Sequence, residues 1–364
     1  MIYAISIIIC ILALVFYRSK LMFSILIGEA WILFAGAYGH ADFFQQKQAY
    51  DFILTKGFTV EDPLWWLIVR LFSKSGISYR AFLWIISTIV LFLIARTIFL
   101  YTKNVAYVWV LYFISPMILD VVQYNNFVGM AIVIFATQYL IKGNRNLKMF
   151  LILVGIATGI CSYMIVYFAF ACIPYFSEKK ILAFSLIACA VIFTSRGMIF
   201  WIASRLMKDE KIVAYFNRTI QPDTYFFLSA YVACGCLLAA YAYHIVIRRR
   251  PKKIAELNQS QFSVYAVSEM IVKINYIMLI TIAIQSFSLE ATRLYRNIFI
   301  LNYILLSLVR KRKDYELRSA VLRIAVLFMA IGYSYLYIYY WNEDTVLIPV
   351  MEHNAILNWI FERF

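Results

Sequence analysis

A dozen apolar stretches, most of them near the length of a bilayer crossing, alternate with two kinds of connector, and that alternation leaves this chain few folds to adopt. Eighteen of its 34 Lys and Arg residues lie in 18–20, 103, 142–148, 179–180, 248–253 and 310–318. Only five acids accompany them (Glu178, Glu256, Glu269, Asp314 and Glu316), so this set carries a net +13. The alternate connectors and the C-terminal tail hold 13 bases and 13 acids. Short loops rich in Lys and Arg stay in the cytoplasm. The pattern predicts an all-α polytopic transmembrane bundle with about 11–12 membrane segments. It is read as a single membrane domain over 1–364, with its uncommitted polar chemistry on the outer face.

Helices are expected near 2–17, 21–38, 81–101, 105–121, 127–142, 148–160, 162–176, 181–199, 225–247, 270–287, 294–310 and 319–340. The first lacks a basic leader and a small-residue cleavage site, and is read as a retained helix. One stretch decides the topology. Residues 148–176 are long for one crossing and short for two, and both ends are basic. Entry and exit on one side require a break near 159–163, an arrangement tolerated where it lines a protein cavity. One tilted span is the alternative, and it would spoil the charge balance. Outside the spans lie the loops 39–80 and 200–224 and the tail 341–364. The Trp-rich segment 63–72 is too short to cross and reads as interfacial or re-entrant, and the tail reads as an interfacial helix.

A soluble fold cannot hide a chain that is 64% hydrophobic. The net charge of +15 follows from the cytoplasmic loops, which face anionic lipid, so no nucleic-acid partner is expected. The six Cys show neither metal-ligand spacing nor a disulfide framework, and His40, His244 and His353 do not cluster. No metal site and no cofactor is expected. With no phosphate-binding Gly loop, any reaction must use an already activated substrate.

Three outer segments carry candidate chemistry. The first loop holds Asp42, Gln45, Tyr50, Asp51, Glu61 and Asp62, where a carboxylate can act as general base or bind a sugar hydroxyl. Ordinary solvated charge is the competing explanation. Gln123, Asn125 and Asn126 open a helix from the outside, where free N–H groups favour an anion, and capping accounts for one of the two Asn. Arg293 and Arg296 are three apart and share a helix face, a pair suited to phosphate. Snorkelling, or pairing with Glu290, competes with that role. Basic residues in 200–224 could gather the same anion. Glu29, Arg96, Lys273 and Arg323 lie in or near spans, where charge by default suggests function.

These segments resemble the EpsG/Wzy-type family of bacterial exopolysaccharide and capsule polymerases. The likeness runs through ADFFQQKQAYDF (41–52), EDPLWWLIVRLFSKSGISYRAFLWI (61–85), QYNNFVGMAIVIFATQYLIKGN (123–144) and EATRLYRNIFILNYILL (290–306). Two departures stand out: Asn125 where the family often has Arg, and Cys161-Ser162-Tyr163 where it often has His before Ser. The resemblance implies a metal-independent membrane glycosyltransferase in the bacterial cytoplasmic membrane. Its substrate would be an undecaprenyl-diphosphate-linked oligosaccharide repeat unit, in surrounding membrane lipid, with a flippase and a chain-length regulator as partners. It implies that Arg293 and Arg296 hold the diphosphate. Glu61 or Asp62, then Asp42, would activate the acceptor hydroxyl, while Gln123, Asn125, Asn126 and Tyr50 orient the substrate. The competing classes are a lipid-linked oligosaccharide flippase, a related ligase or single-sugar transferase, and a non-catalytic scaffold.

Overall fold

The computed structural model describes residues 2–40, 42–54, 62–141, 145–195, 197–198, 221–247, 263–286, 288, 291–309 and 316–361. Every regular element among them is helical. Short polar side chains set several helix starts. Ser19 Oγ accepts from Met22 N (3.2 Å) to open α2 (Lys20–Gly36), after α1 (Ile2–Val15). Ser78 and Asn146 do the same for α5 (Tyr79–Tyr101) and α9 (Leu147–Ile160). The Ser78 cap is why α5 begins ahead of its apolar run. Between α2 and α5, α3 (Phe43–Phe52) and α4 (Pro63–Lys74) fill the first loop. The Trp-rich segment is therefore the short amphipathic α4, whose buried side is carried by Trp65 and Val69.

The centre of the bundle is α6 (Val105–Tyr112), a non-helical kink at Ser115 and Pro116, and α7 (Ile118–Val122). As a crossing, Val105–Val122 is 89% buried. By contrast only 33% of the most apolar 18 residues of α11 (Pro222–Ile247) and 22% of those of the crossing Leu317–Tyr340 are buried, so these two lie on the lipid-facing rim. Among the described residues five helices are long and apolar enough to cross: these three, Tyr79–Tyr101 and Val264–Gln285. Other expected crossings arrive shortened or in pieces. α8 (Tyr124–Ala136) ends in a tight 3₁₀ turn. The crossing Val264–Gln285 keeps its length and is made of α12 (Val264–Met278) and α13 (Ile280–Gln285), which meet at Leu279. The expected helix 294–310 is split into α14 (Ala291–Arg296) and α15 (Phe299–Leu308).

The broken pair is present. Cys161 is extended (φ −145°, ψ 110°), and the chain leaves α9 for a 3₁₀ helix, Ser162–Cys172, before α10 (Glu178–Thr194). The arms fold back on each other: the Arg145 guanidinium sits 4.0 Å above the Tyr175 ring, so the two basic ends meet. One tilted span would put those residues a membrane apart. The tip is fitted tightly, since a Cβ on Gly159 would lie 2.6 Å from Leu64 at the start of α4.

The tail departs from the single interfacial helix expected. After α16 (Glu316–Ser334) and a wide turn through 335–340, it breaks into short pieces that include α17 (Ile348–Met351) and α18 (Ala355–Phe361). Asn354 explains the break. Its Nδ2 donates to Ile32 O (3.0 Å) at the end of α2, and its Oδ1 accepts from Ile356 N and Leu357 N (3.1 Å each) to open α18. Gly36 leaves room for this amide, because a Cβ there would sit 2.1 Å from Asn354 Oδ1. Gly36→Ala is therefore expected to undock the tail at a cost of about 1–3 kcal/mol. Thermal unfolding in detergent, with proteolysis of the tail, reads the effect; an unchanged midpoint and an uncut tail would show that the dock is dispensable.

Candidate functional site

At one end of the bundle α7, α8, α14 and the 3₁₀ arm converge on a buried charge pair. Asp120 is fully buried, and the side chain of Arg296 is 3% exposed. Nε of Arg296 lies 3.2 Å from Asp120 Oδ1, off the axis of a good hydrogen bond, so charge rather than directional bonding holds the contact. Tyr112 donates to Asp120 Oδ2 (2.7 Å), and Nη2 of Arg296 donates to Gln123 Oε1. The carboxylate and the Gln123 amide thus hold the guanidinium, and the Tyr112 phenol holds the carboxylate. Such pairs add little stability in themselves but make the loss of either member costly.

Above this pair lies a cavity of ≈ 420 Å³ bordered by Gln123, Thr292, Arg293, Arg296, Trp341 and Asn342. That size suits a small polar group or the head of a larger ligand. Among the described residues that border the cavity, the charged side chains are Arg293 and Arg296, with Asp120 behind Arg296. Preorganised cations around a small open cavity are an arrangement that can stabilise a phosphate or diphosphate.

The amides take different roles from one another. Gln123 borders the cavity and steadies Arg296. Asn126 pairs reciprocally with Asn297 (3.1 Å both ways), which joins α8 to the turn between α14 and α15 and explains the split there. Asn125 Oδ1 accepts from Asn126 N (2.9 Å) in the first turn of α8, and its Nδ2 donates to Asp62 Oδ2 (2.8 Å). Asp62 Oδ1 accepts from Ser162 N (2.7 Å) at the hairpin tip. Both oxygens of Asp62 are thus engaged in tying the first loop, α8 and the broken helix together. Asp62 also adopts φ 50°, the left-handed conformation that Asp tolerates better than most residues.

Asp42 precedes α3, and Tyr50 donates to Ile77 O (2.7 Å) while packing on Tyr79. Among the described residues neither borders the cavity. Glu61 and most of the basic loop 200–224 lie outside the described residues. The embedded charges are accounted for separately. Lys273 pairs with Glu269 (2.6 Å), Arg323 donates to Val309 O (3.0 Å), and Arg96 is exposed. Glu29 Oε2 is buried with no hydrogen bond among the described residues.

Asp120 was the residue the sequence reading passed over. It follows an apolar run, Pro-Met-Ile-Leu, and a lone acid in such a setting was the available signal.

His40 sits just outside α2, fully buried, with Nε2 3.2 Å from the Tyr124 hydroxyl. Burial first, and the neighbouring Arg80 charge second, lower its pKa to about 4. The unfolded ring titrates near 6.5, so between about pH 6.5 and 4 only the unfolded chain takes up the proton. Stability is therefore complete above that window and declines as pH falls through it, by at most about 1.4 kcal/mol per pH unit. His40→Gln is expected to flatten this part of a melting-temperature profile between pH 7 and 5; an unchanged slope would show that His40 does not cause it.

The architecture defines an all-helical integral membrane protein with a cationic cavity, buttressed by a buried ion pair, at one end of its bundle. The chain belongs to the EpsG family, whose profile matches residues 20–348. No curated protein and no solved structure matches it. Membership makes it a membrane protein of polysaccharide biosynthesis.

Proposed function

We propose that this protein is a polysaccharide polymerase that joins undecaprenyl-diphosphate-linked repeat units at the outer face of the bacterial cytoplasmic membrane. The observation that carries the reading is the convergence of Arg293, Arg296 and Gln123 on one cavity, backed by Asp120. The connectors that end at this cavity, 120–126 and 288–293, belong to the set without excess base, and that supports the outward orientation.

In the reaction, an acceptor hydroxyl oxygen attacks the anomeric carbon of the donor sugar. The bond from that carbon to the diphosphate oxygen breaks, and the lipid diphosphate leaves with the electron pair. Arg293 and Arg296 stabilise the charge that develops on it. The hydroxyl proton passes to a carboxylate, for which Glu61 is the candidate, or to the departing diphosphate. Asp62 acts as a positioning residue, since both of its oxygens are occupied.

The test is a strain lacking the protein, with its lipid-linked glycans sized by mass spectrometry. Single repeat units on undecaprenyl diphosphate, cleavable by an added impermeant glycosidase, are expected in place of long polymer. Units protected inside the cell would instead indicate a flippase, and unchanged glycans a scaffold.

A further inference from the structure

A second concavity lies between α11, α15 and α16. It is a narrow slot of ≈ 50 Å³ walled by residues such as Leu238, Ala239, Ala242, Leu306, Val326 and Ala330. Three of its polar lining side chains, Asn302, Tyr295 and Tyr303, are already bonded elsewhere, and Tyr231 meets its neighbours through its ring. Asn302 exchanges hydrogen bonds with Asn275 (2.6 and 3.2 Å). Tyr295 donates to Asn275 Oδ1 (3.1 Å) and Tyr303 to Ser115 O (2.9 Å). What the slot offers a ligand is therefore hydrocarbon. Leu237 and Phe328, on the other faces of the flanking helices, are 69% and 72% exposed, as lipid-facing residues are.

The slot and the cationic cavity are neighbours. Tyr333 stacks on Tyr337 of the cavity (4.5 Å, 18° between planes). It also packs on Tyr231 (4.9 Å) and Phe299 (5.5 Å) of the slot. Along the chain, Tyr295 faces the slot and the adjacent Arg296 faces the cavity. From Tyr231 to Ala242 the slot follows α11 for about 16 Å at 1.5 Å per residue.

We infer that this slot holds the first isoprene units of the lipid-diphosphate donor, with Tyr333 beside the point where that chain joins the diphosphate bound at Arg293 and Arg296. The inference rests on the polymerase reading above. A slot this narrow takes one chain, and a polyprenyl diphosphate brings one, whereas bilayer phospholipids bring two. Burial of the chain against Leu238, Val326 and Ala330 adds binding energy remote from the reacting bond, which an enzyme can use to hold that bond in register.

The experiment measures binding of undecaprenyl diphosphate, geranyl diphosphate and phosphatidylglycerol to the purified full-length protein by native mass spectrometry. Undecaprenyl diphosphate is expected to bind at least about tenfold more tightly than the geranyl compound. Ala239→Phe, which fills the slot, is expected to remove that preference and leave geranyl diphosphate binding intact. Leu237→Phe, on the exposed face of the same helix, is expected to change neither. If Ala239→Phe kept the preference, the slot assignment would fall while the polymerase reading stood. If binding of both diphosphates were indifferent to Arg293→Ala and Arg296→Gln, both would fall. Equal competition by phosphatidylglycerol would make the slot an ordinary lipid groove and overturn the inference. A diazirine-bearing polyprenyl diphosphate supplies a check without substitution: labelling of α11 and α16 in the unaltered protein supports the slot, and labelling confined to other helices overturns it.

Discussion

Arg296→Met is expected to abolish long polymer and to lower the amount of folded protein, because this guanidinium holds a buried ion pair and, in the proposed reaction, faces the diphosphate. Its removal strands the fully buried Asp120, and breaking such a pair by deleting one member costs about 3–5 kcal/mol. In the proposed reaction it also removes a donor to the leaving diphosphate, a loss of about 10²–10³ in rate. The two effects can be separated. Asp120→Asn combined with Arg296→Gln leaves no unpaired charge, so it is expected to restore the folded level without restoring polymer. Arg293→Ala, away from the Asp120 pair, is expected to lose polymer with little change in folding. Fluorescence-detected size exclusion of the solubilised variants reads folding, and glycan sizing in the complemented strain reads activity. Recovery of polymer by the double variant would remove Arg296 from the chemistry and leave it a structural residue.

Asp62→Ala is expected to be the second most damaging change, through geometry. It deletes the acceptor for Ser162 N and Asn125 Nδ2 together, and hydrogen bonds to a charged group contribute about 1.5–3 kcal/mol each. The hairpin tip then loses its tie to the first loop and to α8, the helix whose first turn carries Asn126 and hence Asn297. Hydrogen exchange at the Ser162 amide should accelerate by at least about tenfold, with polymer yield falling in parallel. Asp62→Asn, which keeps acceptor capacity at one oxygen, should be milder in both. Normal exchange at Ser162 in the alanine variant would show that the tie does not hold the tip.

These two residues illustrate what can be read from a chain like this. Arg293 and Arg296 stood out because basic residues are unusual in connectors without excess base, and their spacing places them on one helix face. Spacing could not show that Arg296 points inward to Asp120, 176 positions earlier in the numbering and on another helix. Asp62 was legible as a candidate acid. Its engagement by a backbone N–H at Ser162 and an amide at Asn125 depends on two folded segments meeting, and no local pattern records that. The amides at 123–126 were read as a group, yet only Gln123 borders the cavity, because Asn126 and Asn125 are taken up by Asn297 and Asp62.

Composition and charge placement were enough for the class of the molecule: an apolar helical bundle, a Trp-rich segment at 63–72 too short to cross, and the break in 148–176. These follow from hydrophobic length and from the position of charge relative to the membrane, properties of contiguous residues. Tertiary structure alone decided which side chains became the site. The Asp120–Arg296 pair, the Asn126–Asn297 pair and the Asp62 tie each join residues far apart in the chain, and a buried charge or amide is tolerable only where a partner from another helix satisfies it.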